Sequence, residues 1–410
     1  MINKNLMLPF LLGMAIISSL LIYSCSNSKL GPNEVQDQTG KIITLIPEPG
    51  QDPTNQKEIK SPIPVLSNDG KLNVSGWARY PYFQIDESYI KADPKRYKRW
   101  EHYTFYNEKF GGAITVTDIG NLAMGSVELL DFATGKVLFS KTELVRPGEI
   151  FFPTNTTDPI EFKKGDQYIR ITKLKGKRII EYSVHGDTNS ESIKGNFELE
   201  EKAPEALAVI TPFSESSFFY EYKMPSLICK GSIQYNNTTY EFDDKSYAVL
   251  DWGRGTWPEK NKWLWAAGAG LIKGELLSLN LGYGFGIPNN ATENGIVYKG
   301  KVHKLDKVTW KYDVTDYKKP WKFISNEGRL ELEFTPVYLL SSDIDLAGMF
   351  GFLKQLYQNF SFSEILDLLK TEAYLNKVFG HYNGYVVLDD GTKLEVKDLA
   401  GFAEQMYQQW

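Results

Sequence analysis

Apolar and polar residues alternate along much of the chain after residue 60, with the period of two that is typical of half-buried β-strands. Ile114–Thr117 and Leu330–Phe334 are clear examples. Short glycine-containing sequences separate such runs and predict tight hairpins; they are Asn68-Asp69-Gly70, Ala133-Thr134-Gly135, Lys299-Gly300 and Asp390-Gly391. Short strands joined by close turns predict an all-β fold of antiparallel sandwiches or up-and-down barrels.

One segment, residues 341–379, departs from this pattern. Its apolar residues recur at helical spacing, Ser361-x-x-Glu364 is a capping box, and Gly380 follows. We therefore predict a helical insertion of two amphipathic helices near the C-terminus. Such helices usually cover the face of a sheet or barrel. The alternatives here are a lid and a surface that faces a membrane.

The N-terminus has the features of a targeting segment, which we assign to residues 1–24. Lys4 precedes the apolar run Leu6–Tyr23, and Leu21–Cys25 resembles the lipobox of bacterial lipoproteins. The resemblance implies acylation of Cys25, which would anchor the chain to the lipid bilayer of a bacterial cell envelope. Ser26 is not the acidic residue associated with inner-membrane retention, which favours the outer membrane. A plain transmembrane anchor is the alternative.

The rest of the chain divides into a tether and two halves. Residues 25–61 are polar and rich in proline, and predict a disordered tether that follows the lipidated cysteine. Gly76-Trp77-Ala78-Arg79 is similar to Asp251-Trp252-Gly253-Arg254. This similarity favours two β domains of similar plan, at residues 62–225 and 226–410, with the helical insertion 341–379 in the second.

Composition excludes several classes of function. A net charge of −5 without a basic stripe argues against nucleic-acid binding. Two cysteines and four widely separated histidines lack the spacing of a metal site, so we predict no metal and no cofactor. Aromatic residues make up 14% of the chain, which favours strands over helices.

The densest candidate for chemistry is residues 251–265, with four tryptophans in fifteen positions. As a pocket, Asp251 would donate or accept a proton and Arg254 would anchor an anion or dipole. An aromatic lining would stack on the ligand; we assign to it Trp257, Trp263, Trp265 and, from the nearby glycine-rich strand, Tyr283. As structure, a buried Asp251–Arg254 pair would instead fix the end of a barrel.

A second candidate is the pair Glu293 and His303. Both flank the predicted hairpin at Lys299-Gly300 and could face one pocket as an acid/base couple. The alternative for His303 is a surface or turn position.

Ten short motifs identify a family resemblance. They are Gly76–Arg79, Arg99–Tyr103, Asp118–Gly120, Ala248–Gly255, Leu279–Gly282, Ala291–Asn294, Pro320–Lys322, Val378–Gly380, Asp390–Thr392 and Leu399–Glu404. With these motifs the chain resembles the bacterial family called domain of unknown function 2804, over nearly all residues after about 60. That family is distantly similar to tandem lipocalin-like proteins, including carotenoid hydratases and tocopherol cyclases. The resemblance implies two lipocalin-like antiparallel β-barrel or sandwich halves. Residues 341–376 depart from it, since family members are shorter there.

Three functions follow as hypotheses. The first is a membrane-anchored binding protein that holds a lipid or isoprenoid-like hydrophobic ligand in a β-barrel cavity. The second is an enzyme of the hydratase or cyclase type that uses Asp251 as an acid on an isoprenoid substrate. The third is a structural protein of the envelope without a small ligand. A cavity of several hundred Å³ would favour the first two.

Overall fold

A computed structural model of the chain describes residues 34–36, 42–44, 50, 52–186, 191–287, 290–341, 346–368 and 370–410. The predicted targeting segment and Cys25 lie outside these residues. Within them, no helix is both long enough and apolar enough to cross a bilayer.

Most of the described chain is β-strand. The strands up to residue 256 are β1 (Glu34–Gln36), β2 (Ile42–Thr44), β3 (Ile63–Pro64), β4 (Gly76–Ala78), β5 (Phe83–Gln84), β6 (Tyr97–Tyr106), β7 (Phe110–Asp118), β8 (Ala123–Asp131), β9 (Lys136–Val145), β10 (Ile160–Lys164), β11 (Gln167–Leu174), β12 (Lys177–His185), β13 (Ser192–Glu201), β14 (Leu207–Pro212), β15 (Phe218–Tyr235), β16 (Thr238–Phe242) and β17 (Tyr247–Thr256). β1 pairs with β2 and β3 with β5, each as a separate two-stranded sheet. Two 3₁₀ turns, Glu87–Tyr89 and Pro94–Arg96, precede β6.

The remaining elements form the second half. Its strands are β18 (Lys260–Ile272), β19 (Glu275–Tyr283), β20 (Gly295–Tyr298), β21 (Lys301–Lys304), β22 (Val308–Lys311), β23 (Trp321–Ser325), β24 (Leu330–Ser341), β25 (Glu372–Val387) and β26 (Lys393–Gln409). The helices α1 (Leu346–Asn359) and α2 (Phe362–Leu368) lie between β24 and β25.

The strands form two large antiparallel sheets, each of which curls into a near-barrel. The first has the order β10-β11-β12-β13-β15-β17-β6-β7-β8-β9, with β14 and β16 paired to β15 and β4 paired to β14. The second has the order β21-β20-β19-β18-β26-β25-β24-β23-β22. The predicted all-β class with helices near the C-terminus is therefore confirmed.

Side chains fill the inside of both curled sheets. Tyr103, Phe197 and Trp252 are among the buried residues inside the first sheet, and Trp321 and Tyr382 among those inside the second. A third buried cluster joins the two sheets. The strands β6, β15 and β17 are therefore covered on both faces. This explains why most of their residues are buried although side chains alternate along them.

The boundaries differ from the predicted ones in two places. The change from first to second sheet falls between Thr256 and Lys260, whereas the predicted division at residues 225 and 226 lies inside β15. The folded contacts also begin before residue 62, because Thr54 and Gln56 both hydrogen-bond to the Asp306 carboxylate. Polar residues in this part of the predicted tether serve as anchors to the second sheet.

The helical insertion is shorter than predicted and packs on the first sheet. The Glu364 carboxylate accepts a hydrogen bond from the Ser361 N–H at 2.7 Å, as a capping box requires. Residues from Glu372 onward are strand, because they pair with β26. Leu356, Phe360, Ile365 and Leu368 pack against Leu144 and its neighbours near β8 and β9. The helices thus cover part of the first sheet.

Candidate functional site

The Asp251–Gly255 motif lies in β17, in the middle of the first sheet, rather than at the start of a second domain. Successive residues of a strand face opposite sides, so Asp251 and Arg254 diverge. The Arg254 guanidinium stacks 4.3 Å from the Trp252 ring centroid and donates to Glu87 Oε1 at 2.6 Å. The predicted Asp251–Arg254 pair therefore does not form, and Arg254 is a structural residue inside the first sheet.

Asp251 instead faces the second sheet. Its Oδ2 lies 2.5 Å from Lys223 Nζ, and its Oδ1 accepts a hydrogen bond from Trp100 Nε1 at 2.5 Å. Burial alone would raise the pKa of Asp251, but the Lys223 ammonium and the neighbouring Glu221 and His102 together outweigh it and lower this pKa to about 2. Asp251 is thus ionised at neutral pH and cannot act as the neutral acid that the sequence suggested.

A second carboxyl, Glu221, lies beside Asp251 and is fully buried. Burial and then the negative charge of the Asp251 carboxylate raise the pKa of Glu221 well above its usual range. The proton of this pair therefore resides on Glu221. Gly253 makes the arrangement possible. A Cβ at that position would lie 2.7 Å from Glu221 Oε2 and would overlap the Trp100 ring.

Glu293 supplies the third carboxyl, from the loop between β19 and β20. The loop backbone is held in place, since Asn280 Nδ2 donates to the Glu293 carbonyl at 2.9 Å and the Gly282 N–H donates to Asn294 Oδ1 at 2.9 Å. The Glu293 side chain is buried, yet neither carboxyl oxygen has a hydrogen-bond partner among the described residues. Burial raises the pKa of Glu293 to about 7, with Lys223 opposing the rise and Asp251 adding to it.

We call Glu221, Lys223, Asp251 and Glu293 the acid cluster. It lies where the two sheets face each other, because Lys223 Nζ on β15 is 3.9 Å from the centroid of the Trp265 ring on β18. Lys223 is the one cation of the cluster, and the pKa of Lys223 is raised by Asp251 and Glu221 despite the opposing effect of burial.

A recess opens beside Glu293. It encloses a cavity of about 30 Å³, room for about two water molecules. Its lining includes the side chains of Thr211, Phe219, Tyr283, Phe285, Glu293 and Val308. Tyr283 and Lys307, also in the lining, are partly exposed, so the recess reaches the surface. A small group at the end of an apolar molecule could therefore approach the Glu293 carboxyl.

Aromatic residues surround the recess. Phe219 and Phe285 stack at 4.6 Å between ring centroids, and Trp257 and Trp263 lie 5.5 Å apart in the same cluster. Trp265 Nε1 donates to Asn280 Oδ1 at 2.8 Å. Of the residues predicted to contact a ligand, Tyr283 lines the recess. Trp265, Trp257 and Trp263 form the packing behind it.

His303 is not brought to Glu293. Its Nδ1 lies 3.2 Å from Asp389 Oδ2. His303 and the next residue, Lys304, point to opposite sides of β21 because side chains alternate along a strand. Lys304 is the buried one, and its ammonium donates to Thr292 Oγ1 at 2.9 Å. Burial lowers the pKa of Lys304 to about 7. Lys304 is therefore the basic group that supports the Glu293 loop.

Sequence reasoning missed Glu221, Lys223 and Lys304. Glu221 and Lys223 are the only charged residues in the aromatic run Phe218–Met224, and they are two positions apart. Two charges on one face of an otherwise apolar strand are a signal of a buried ion pair, because unpaired charges are rarely buried.

Fold and site together define a protein of two facing antiparallel β-sheets with a buried acid cluster between them. The family model described as Domain of unknown function (DUF2804) matches residues 56–367 and 361–410, and the chain belongs to this family. A search of curated proteins finds no match.

Three solved structures are similar in fold. A Nitrosomonas europaea protein provisionally assigned as AttH is 15% identical, with a TM-score of 0.45, over 80% of this chain and 97% of that one. Kievitone hydratase from Nectria haematococca is 12% identical, with a TM-score of 0.41, over 87% and 97%. CghA is 10% identical, with a TM-score of 0.42, over 87% and 97%. Likeness at this level carries no information on substrates.

Proposed function

We propose that the protein is an acid–base enzyme that acts on an apolar substrate, with Glu293 as the group that donates or accepts the proton. The observation that carries this proposal is the buried Glu293 carboxyl, which has no hydrogen-bond partner among the described residues and borders an aromatic-lined recess. A structural protein gains nothing from such a group, because an unpaired buried carboxyl costs stability. An acid–base catalyst works best with a pKa near the working pH, as that of Glu293 is.

The surroundings of Glu293 suit proton donation. After transfer the Glu293 carboxylate is negative, and the Lys223 ammonium is the main charge that stabilises it. Positive charge on the substrate would be stabilised by the faces of Phe219 and Phe285, which lie at the recess. These features support a hydratase- or cyclase-type reaction on an isoprenoid-like alkene, with Glu293 in the role that the sequence suggested for Asp251.

The proposal is tested in two steps. Infrared spectroscopy of the wild type and Glu293→Gln should show a protonated carboxyl signal that titrates near pH 7 and is absent from the variant. Screening of unsaturated apolar compounds should then find turnover that falls by about 10²–10⁴ in Glu293→Gln. Asp389→Asn, which removes the exposed partner of His303, is the control and should leave turnover unchanged. Titration of Glu293 near pH 4.5, or turnover that survives Glu293→Gln, would refute the assignment.

A second candidate is binding of a hydrophobic ligand without chemistry. The filled interiors of both sheets argue against a ligand inside either one. The recess, at about 30 Å³, falls short of the several hundred Å³ that a whole ligand needs, so it would admit only one end of the ligand. Mass spectrometry of lipids extracted from protein purified out of native membranes tests this. A specific co-purified lipid that turns over in no assay would favour binding over catalysis.

Membrane anchoring stays a proposal from the lipobox-like sequence before Cys25. We infer an acylated protein on the bacterial envelope, in the outer membrane where there is one. Metabolic labelling with a palmitate analogue should label the wild type and not Cys25→Ala, and the variant should keep its unprocessed leader. Equal labelling of both would overturn the anchor.

A further inference from the structure

A second concave site lies away from the acid cluster. It is a cleft of about 500 Å³ between the first sheet and the hairpins at one edge of the second, within the size range of small-molecule sites. Ser226 and Ile228 of β15 form its floor together with Ala203 and Val297, which are buried. The Ser226 hydroxyl is already hydrogen-bonded to Ser278 Oγ at 2.5 Å. The floor therefore offers a ligand mostly apolar surface.

The rim of the cleft carries two lysines. Lys299 and Gly300 form the turn between β20 and β21. Lys202 is the second lysine at the rim, and Glu275 is the acidic residue there. Leu271 is apolar and 62% exposed at the same edge.

The turn lysine at the rim has an unusual backbone. Lys299 has φ 51°, in the left-handed region that favours glycine, asparagine and aspartate. A residue in a backbone conformation that its type rarely adopts is a hint of function. The Lys299 ammonium lies at the rim, 3.8 Å from the Glu275 carboxylate.

We propose that this cleft binds a long-chain fatty acid, with the acyl chain on the Ile228 and Val297 floor and the carboxylate at the lysine rim. The apolar floor and the exposed Leu271 supply the hydrophobic contact, and the lysines supply charge complementarity. Glu275 lies 3.8 Å from Lys299 Nζ and competes with the ligand carboxylate for that ammonium. The site is separate from the Glu293 recess and does not depend on catalysis there.

Isothermal titration of the purified full-length protein with palmitate tests the proposal, with hexadecanol as the uncharged ligand of the same chain length. In Lys202→Asn/Lys299→Asn, position 299 keeps a residue type that accepts positive φ and position 202 is exposed, so folding should be retained. Palmitate affinity should fall about tenfold, and hexadecanol affinity should not change. Glu275→Gln should tighten palmitate binding, and Leu271→Gln should weaken both ligands.

A control separates this site from the rest of the surface. Lys311→Asn, an exposed lysine of β22 outside the cleft, should leave both affinities unchanged. No measurable palmitate binding, or equal palmitate affinity in the wild type and the double lysine variant, would overturn the proposal.

Discussion

The ammonium of Lys223 and the carboxylate of Asp251 are 2.5 Å apart and form an ion pair where the two sheets face each other. Lys223 is buried, and the Asp251 side chain is 14% exposed. Each residue belongs to the first sheet, on neighbouring strands, and Lys223 also contacts the Trp265 ring of the second. The pair is therefore both a link between the sheets and the charge that governs Glu221 and Glu293.

Removal of Lys223 should be strongly destabilising. Lys223→Met leaves the buried Asp251 carboxyl without its cation, and loss of one partner of a buried pair costs about 3–5 kcal/mol. Lys177→Met is the matched control, because the Lys177–Glu198 pair is about 40% exposed on both sides and such pairs contribute less than about 1 kcal/mol. Urea unfolding of both variants measures the difference. A similar loss in the free energy of unfolding of the two variants would mean that the buried pair stabilises the fold no more than the exposed pair does.

The protonation of Glu221 predicts a contrast between two amide substitutions. Glu221→Gln replaces a neutral carboxyl with a neutral amide of nearly the same shape, so the free energy of unfolding at pH 7 should change by less than about 1 kcal/mol. Asp251→Asn removes the charge that Lys223 needs and should cost about 3 kcal/mol or more. If Glu221→Gln is the more damaging of the two, the proton has been assigned to the wrong carboxyl.

Much of the fold could be predicted from local signals. The four hairpins are where their glycine-containing turns indicated, and Gly70, Gly135, Gly300 and Gly391 all have positive φ. Such turns depend on residues next to each other in sequence, so the sequence contains the whole cause. The division between the sheets has no such local cause, because β15 pairs with β17 and β17 pairs with β6, more than 100 residues earlier.

The site was only partly predictable for the same reason. Glu293 was predicted as an acid, but its predicted partner His303 lies elsewhere. Asp251 and Arg254 were predicted to pair, yet the alternation of side chains along a strand places them on opposite faces. Contacts across the sheets decide the rest. The Trp100–Asp251 hydrogen bond and the Lys223–Trp265 contact join residues that no local pattern relates.

Stability should fall with rising pH on account of Glu293. Its pKa is raised from 4.5 to about 7 in the folded protein, mainly by burial. Between these values the folded protein keeps a proton that the unfolded chain has lost. The stabilisation from this proton, on the order of 3 kcal/mol, is thus complete below pH 4.5 and is lost as the pH rises through 7.

The comparison with Glu293→Gln isolates this effect. Burial lowers the pKa of His102 to about 3, so the contribution of His102 to stability rises with pH over part of the same range. His102 is present in both proteins, so its contribution cancels in the comparison. The difference in the free energy of unfolding, wild type minus variant, should therefore decline from pH 4.5 to pH 8. A flat difference would show that Glu293 has an ordinary pKa.

Gln355 of α1 should contribute to stability by completing the edge of β9. Its side chain accepts a hydrogen bond from the Leu144 N–H and donates one to the Thr142 carbonyl, both at 2.8 Å, as a neighbouring strand would. It also accepts from Lys164 Nζ of β10, the other edge of the first sheet, at 3.2 Å. Gln355→Ala should cost about 2 kcal/mol and speed hydrogen exchange at the Leu144 amide.

The exposed Gln358 of the same helix provides the control. Gln358→Ala should change the free energy of unfolding by less than about 0.5 kcal/mol and leave exchange at Leu144 unaltered. Unchanged exchange in Gln355→Ala would mean that α1 does not protect this edge.

Gly282 should be required for the position of the Glu293 carboxyl. A Cβ at residue 282 would overlap Glu293 Oε1, so Gly282→Ala should displace the acid from the recess. A double-mutant cycle tests this coupling directly. Gly282→Ala should destabilise the wild type by about 1–3 kcal/mol through overpacking and should cost clearly less in a Glu293→Ala background, where the clashing group is gone. Gly268→Ala, whose Cβ would have its nearest neighbour at 3.0 Å, is the control and should cost the same in both backgrounds. Additive effects of Gly282→Ala and Glu293→Ala would show that the glycine is needed for the β19 backbone rather than for the acid.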